Sequence, residues 1–135
     1  MKSLDEVKVP EELRYTDEHV WIRREKDGRY TVGISDFAQD QLGEVAFIDL
    51  PEKGGRFEEH EEFGTVESVK SVSALYMPVA GTVMAVNSAL EETPTLLNAD
   101  CYARGWICQI EPDEESRCAE LLDSAQYSAL LRSKA

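Results

Sequence analysis

Lys70 is the residue whose setting most invites chemistry. It stands in Glu67-Ser68-Val69-Lys70-Ser71-Val72, where two strand-like apolar runs meet. Gly64-Thr65-Val66 leads in, and Val72, Ala74, Tyr76 and Val79 lead out. No Gly, Asn or Asp lies between the runs to widen the loop, so the spacing predicts a tight bend with Lys70 at its tip. An amine held off the core on a stiff β scaffold can be reached by a separate enzyme that attaches something to it. The plainer alternative is one surface lysine among the six in the chain.

No other constellation competes. His19 and His60 are far apart, each in a polar context, and Gly54-Gly55 lacks the Lys-Ser/Thr of a phosphate-binding loop. Ser68, Ser71 and Ser73 flank Lys70 without a base near in sequence to activate them. Cys101, Cys108 and Cys118 form an odd set with no Cys-x-x-Cys and no zinc spacing, which fits reduced thiols. His60 sits among Glu58, Glu59, Glu61 and Glu62, but contiguous glutamates in a loop diverge, so a solvated charged loop is expected rather than a metal site. The expectation is a non-catalytic protein with no catalytic residues and no metal.

The elements that must position Lys70 read as mostly β with a few short helices. Residues 1–12 are a charged lead-in with at most a short edge pairing. Strand formers fill His19–Arg23 and Tyr30–Ile34, joined through Asp27-Gly28, a hairpin turn signal. Ser35 can cap a short helix that carries Phe37, Ala38 and Leu42 and closes at Gly43. Val45–Leu50 reads as a buried strand stopped by Pro51. Gly43-Glu44-Val45 resembles Gly81-Thr82-Val83, a faint repeat of two β units that would stack face to face. The β sandwich with its hairpin spans 13–111. Over 113–132 the apolar period turns helical through Leu121, Leu122, Tyr127, Leu130 and Leu131, with Ser124 as an N-cap and packing over a sandwich edge as the role.

The 135 residues suit one domain, 1–135. A net charge of −13 repels nucleic acid and anionic membrane surfaces, and suits brief docking on basic faces of larger proteins. The N-terminus has no apolar signal region, and no run approaches the ~18 apolar residues of a membrane span. A cytoplasmic location is expected.

The spacing around Lys70 resembles the lipoyl/biotinyl attachment family, in which Pro and Gly follow the modified lysine as Pro78 and Gly81 do here. Val69 and Ser71 replace the methionines that flank a biotinyl lysine, which disfavours a biotin carrier. The string Glu67–Val72 is most similar to the H proteins of the glycine cleavage system. The resemblance continues through Tyr15-Thr16, Glu18-His19, Trp21, Val32–Asp40, Leu42-Gly43, Leu50–Glu52, Glu62–Gly64, Val86-Asn87, Leu97-Asn98 and Gly105-Trp106. It implies a lipoyl-type barrel-sandwich hybrid, lipoate amide-linked to Lys70, and an attachment hairpin of Glu67, Ser68, Val69 and Ser71, with Glu67 aiding the attaching enzyme. It further implies an arm that takes an aminomethyl group from glycine on a pyridoxal-phosphate decarboxylase (P protein) and passes it to a tetrahydrofolate-dependent aminomethyltransferase (T protein). A flavin lipoamide dehydrogenase (L protein) then reoxidises the arm.

Four positions depart from that family. Val20 and Ala74 stand where its members carry Glu and Asp, acids suited to a cationic amine. Cys101 replaces a proline, and Arg104 precedes Gly105-Trp106. Cys101 reads as a buried packing thiol, with a redox partner of the arm as the alternative. The departures keep open an H-like paralogue serving lipoyl relay or sulfur oxidation, beside an unmodified interaction module.

Overall fold

The computed structural model describes residues 2–133. In chain order the elements are β1 (Arg14–Tyr15), β2 (Val20–Arg24), β3 (Tyr30–Ile34), α1 (Asp36–Leu42), β4 (Val45–Asp49), β5 (Arg56–Phe57), β6 (Glu62–Ser68), β7 (Val72–Tyr76), β8 (Gly81–Val86), α2 (Ala89–Glu92), α3 (Leu96–Ala99), β9 (Cys108–Pro112), α4 (Glu115–Cys118) and α5 (Ser124–Ser133). The strands form a six-stranded sheet, β1-β2-β3-β9-β8-β5, and a three-stranded sheet, β4-β6-β7. Every neighbouring pair is antiparallel. Val32, Val83 and Ile110 of the larger sheet share one buried cluster with Val45, Ile48, Val66 and Leu75 of the smaller. The fold is mostly β, two sheets over a common core without barrel closure.

The faint repeat has a structural counterpart. β4 pairs with β6 in one sheet and β8 with β9 in the other, each as an antiparallel neighbour. The register slips between Val45 and Phe47 in the first pair and between Val83 and Ala85 in the second, the same offset from Gly43 and Gly81. A bulge re-aims the side chains beyond it. In β4 it leaves Val45 and Ile48 buried but turns Ala46 and Phe47 outward, so the strand is half-exposed and not the buried one its composition predicts.

Asp27-Gly28 does turn the chain, but as a longer loop. Glu25 O accepts from Gly28 N–H, Glu25 N–H donates to Arg29 O, and Gly28 alone takes a left-handed φ of +88°. That is a turn closed by one glycine in the left-handed region rather than a two-residue loop. Ser35 caps α1 as expected, its Oγ accepting from Ala38 N–H at 3.2 Å, and Gly43 ends the helix at φ +76°.

The C-terminal helix begins at Ser124 itself, so Ser124 is its first residue and not its N-cap. Asp123 is the cap: its Oδ1 accepts from Gln126 N–H, and Gln126 Oε1 accepts from Asp123 N–H, a reciprocal box. Leu121 and Leu122 are not helical. Leu122 pairs with Tyr15 by two backbone hydrogen bonds, extending the β1 edge. Tyr127 of α5 then stacks on Tyr15, centroids 4.6 Å apart and planes within 4°. The helix therefore covers the sheet edge, the role its pattern implied. The lead-in makes no strand pairing over residues 2–12; Leu4, Val7 and Val9 pack instead on a second cluster with Tyr15, Trp21 and Tyr127. Asp36 ties it down by accepting from Lys8 N–H and Lys2 Nζ.

Candidate functional site

The bend between β6 and β7 is made by a serine. Ser68 N–H donates to Ser71 O at 2.8 Å, closing one side of the turn. The other side closes through the side chain: Ser68 Oγ accepts from Ser71 N–H at 3.1 Å and from Lys70 N–H at 3.3 Å. A hydroxyl that takes up the turn's own N–H groups replaces the glycine or asparagine a tight loop ordinarily needs. Among the described residues no positive φ occurs in the bend. Val69 and Lys70 stand at the tip and both are exposed, as the spacing predicts.

The tip is also tied to the body. Val69 N–H donates to Glu44 O at 3.3 Å. Asn98 fixes the segment bearing that carbonyl: its Nδ2 donates to Gly43 O and Gln39 Oε1, and its Oδ1 accepts from Val45 N–H. Sequence reasoning placed Asn98 in the resemblance but gave it no role, and a contact across 53 residues leaves no local signal. The Lys70 side chain crosses Gly43; a Cβ there would stand 3.1 Å from its Cε and 3.6 Å from its Nζ. Lys70 makes no ion pair among the described residues.

A groove of about 370 Å³ runs beside the bend. Ser71 to Leu75 of the free β7 edge form one wall, and Ile34, Phe37, Ala38 and Leu42 give the other an apolar surface. Ala74 lines it, whereas Val20 points into the core at 2% exposure. Glu18 is the one acid on the groove's lining. Its Oε1 lies 2.8 Å from His60 Nδ1, and His60 also approaches Glu59 Oε2 at 3.4 Å. The hydrogen bond to Glu18 raises the His60 pKa above its usual 6.5. His60 is thus part of a surface charge network that reaches the groove's rim.

The remaining candidates separate from the bend. Glu67 pairs with Val72 on the last rung of the hairpin and faces solvent. His19 Nδ1 and Ser35 Oγ each lie 2.7 Å from the Tyr127 hydroxyl, a junction that joins α5 to the open end of the β2–β3 hairpin. All three cysteines are free and buried, and burial pushes the Cys101 and Cys108 thiols up to about 12. Cys101 is therefore a packing thiol rather than a ready thiolate.

Lys70 is thus a side chain presented at the surface on a β bend braced from Ser68 and Glu44. Residues 13–134 match the family model described as glycine cleavage H-protein. The glycine cleavage system H proteins of Escherichia coli (strain K12 / DH10B) and Salmonella newport (strain SL254) are each 48% identical over 123 residues, covering 91% of this chain and 95% of theirs. The crystal structure of a glycine cleavage system H protein from Mycobacterium marinum superposes with a TM-score of 0.85 at 33% identity, covering 92% of this chain and 99% of that one. The chain belongs to the glycine cleavage H-protein family.

Proposed function

We propose that this protein is the lipoyl carrier of a glycine cleavage system, with lipoate joined as an amide to Lys70 Nζ. The observation that carries the reading is the exposed Lys70 amine, without an ion pair among the described residues, at a bend braced from Ser68 and Glu44 in a chain of this family. The residues present fit the group. Acylation removes the lysine charge and breaks no ion pair, and the apolar wall of Ile34, Phe37, Ala38 and Leu42 beside the bend suits a hydrocarbon chain. When bound, the lipoyl group supplies the exchangeable sulfurs that take up and surrender an aminomethyl group.

The chain's own residues do the positioning. Ser68 and Glu44 fix the direction in which Lys70 leaves the surface, which raises the effective concentration of whatever it bears at each partner site. Glu67, Val69 and Ser71 shape the hairpin that the lipoate-attaching enzyme must recognise. The partners on this reading are glycine decarboxylase, aminomethyltransferase and lipoamide dehydrogenase, in the cytoplasm. No helix among the described residues is long and apolar enough to cross a membrane. The test is exchange of labelled carbon dioxide into glycine, reconstituted with glycine decarboxylase. The lipoylated protein should support exchange and Lys70→Ala should not. Exchange supported equally by Lys70→Ala refutes the assignment.

A further inference from the structure

Among the described residues, the large apolar side chains left exposed are Phe47, Val69, Val72 and Tyr76. All four belong to the three-stranded sheet or its hairpin tip. Phe47 on β4 stands opposite Glu67 on β6, which stands opposite Val72 on β7, so the three form one row across the sheet. Alternation along β7 puts Ala74 and Tyr76 on the same side as Val72, and Asp49 lies beside Phe47 on β4. Phe47 is 53% exposed and Val72 67%, a clustering that on a soluble protein marks an interaction site. The three strands contain no lysine or arginine, and neither Asp49 nor Glu67 has an ion-pair partner among the described residues.

We infer that the outer face of β4, β6 and β7 docks the glycine decarboxylase of the proposed system, on a matching face that offers an apolar recess flanked by lysine or arginine. The inference rests on Lys70 as the attachment point. The row runs directly into the bend through Val69, so a protein that draws the arm from Lys70 into its active site comes down on this ground. Docking over Phe47 and Val72 takes water from Glu67 between them, and a buried carboxylate needs a cation supplied from the other side. Charge also narrows the occupant. A second copy of the chain docked about a twofold axis would bring the acids Asp49 and Glu67 of one copy against the same acidic face of the other. Anionic membranes and nucleic acid are repelled by the same two acids.

The experiment uses fully lipoylated protein, verified by intact mass, with glycine decarboxylase as the probe in the carbon dioxide exchange. Phe47→Ser combined with Val72→Ser should raise the KM for the carrier about tenfold or more, since it removes the exposed apolar area that docks. Its melting temperature should match the parent, because both side chains face solvent. Glu67→Gln should flatten the rise of KM with salt. An unchanged KM in the double variant, or an unchanged salt slope in Glu67→Gln, overturns the docking surface. Failure of the attachment reading appears earlier and differently, as a missing mass increment before any KM is measured.

Discussion

Ser68→Ala tests how the bend holds Lys70. The substitution removes the Oγ acceptor of two N–H groups, at 3.1 Å from Ser71 and 3.3 Å from Lys70, and leaves the Ser68 N–H to Ser71 O bond in place. A neutral hydrogen bond is worth about 0.5–1.5 kcal/mol net, and here water can reach the freed N–H groups, so the pair together contributes about 1 kcal/mol. That corresponds to a roughly fivefold rise in the open population of the bend, with little effect on the core. Amide hydrogen exchange followed by NMR should show the Lys70 and Ser71 amides exchanging about fivefold faster, while the paired amides of β4 and β6 keep their rates. Lipoyl attachment, followed by intact mass, should slow by less than about twofold, because the closed bend remains the main population met by the attaching enzyme. Ser68→Thr keeps the oxygen and should restore both rates. Unchanged exchange at Lys70 and Ser71 in the alanine variant refutes the claim that the hydroxyl closes the turn.

Tyr127→Phe should lower stability by about 1–3 kcal/mol, because it strips a buried hydroxyl from both His19 Nδ1 and Ser35 Oγ; calorimetry should show a melting point reduced by several degrees. Gly64→Ala should destabilise by about 1–3 kcal/mol, since a Cβ there collides with the Asp49 carbonyl oxygen across the β4–β6 pair, and a denaturant midpoint reads it. His60 should titrate above 6.5, held up first by its hydrogen bond to Glu18 and then by the nearby charges of Glu18, Glu59 and Asp17. A raised folded pKa means the pair's stabilisation is complete below 6.5 and disappears as pH rises through the folded value. The pair is largely exposed, so the effect on stability is small and the clean measurement is NMR titration. In Glu18→Gln the His60 midpoint should fall toward 6.5.

The bend at Lys70 was legible because two strand-forming runs met with no breaker between them. What closes it was not, since Ser68 could equally have faced solvent, and only the folded backbone brings two N–H groups and a carbonyl around its hydroxyl. Asn98 was silent for a different reason: its clamp on Gly43 and Val45 exists only once α3 packs against α1. The apolar run Val45–Leu50 predicted a strand correctly but misjudged its faces, because a bulge after Val45 rotates Phe47 outward. Leu121 and Leu122 have helical spacing, yet pairing with Tyr15 at an open sheet edge satisfies more backbone than another helical turn would. The Asp123 cap was readable in principle from Asp-x-x-Gln, one residue ahead of Ser124.

The most direct measurement is the intact mass of the protein purified from lipoate-supplied cells, followed by peptide mapping. A single lipoyl increment is predicted, located on Lys70 and absent from Lys70→Ala. No increment, or an increment carried by another of the lysines, contradicts the account.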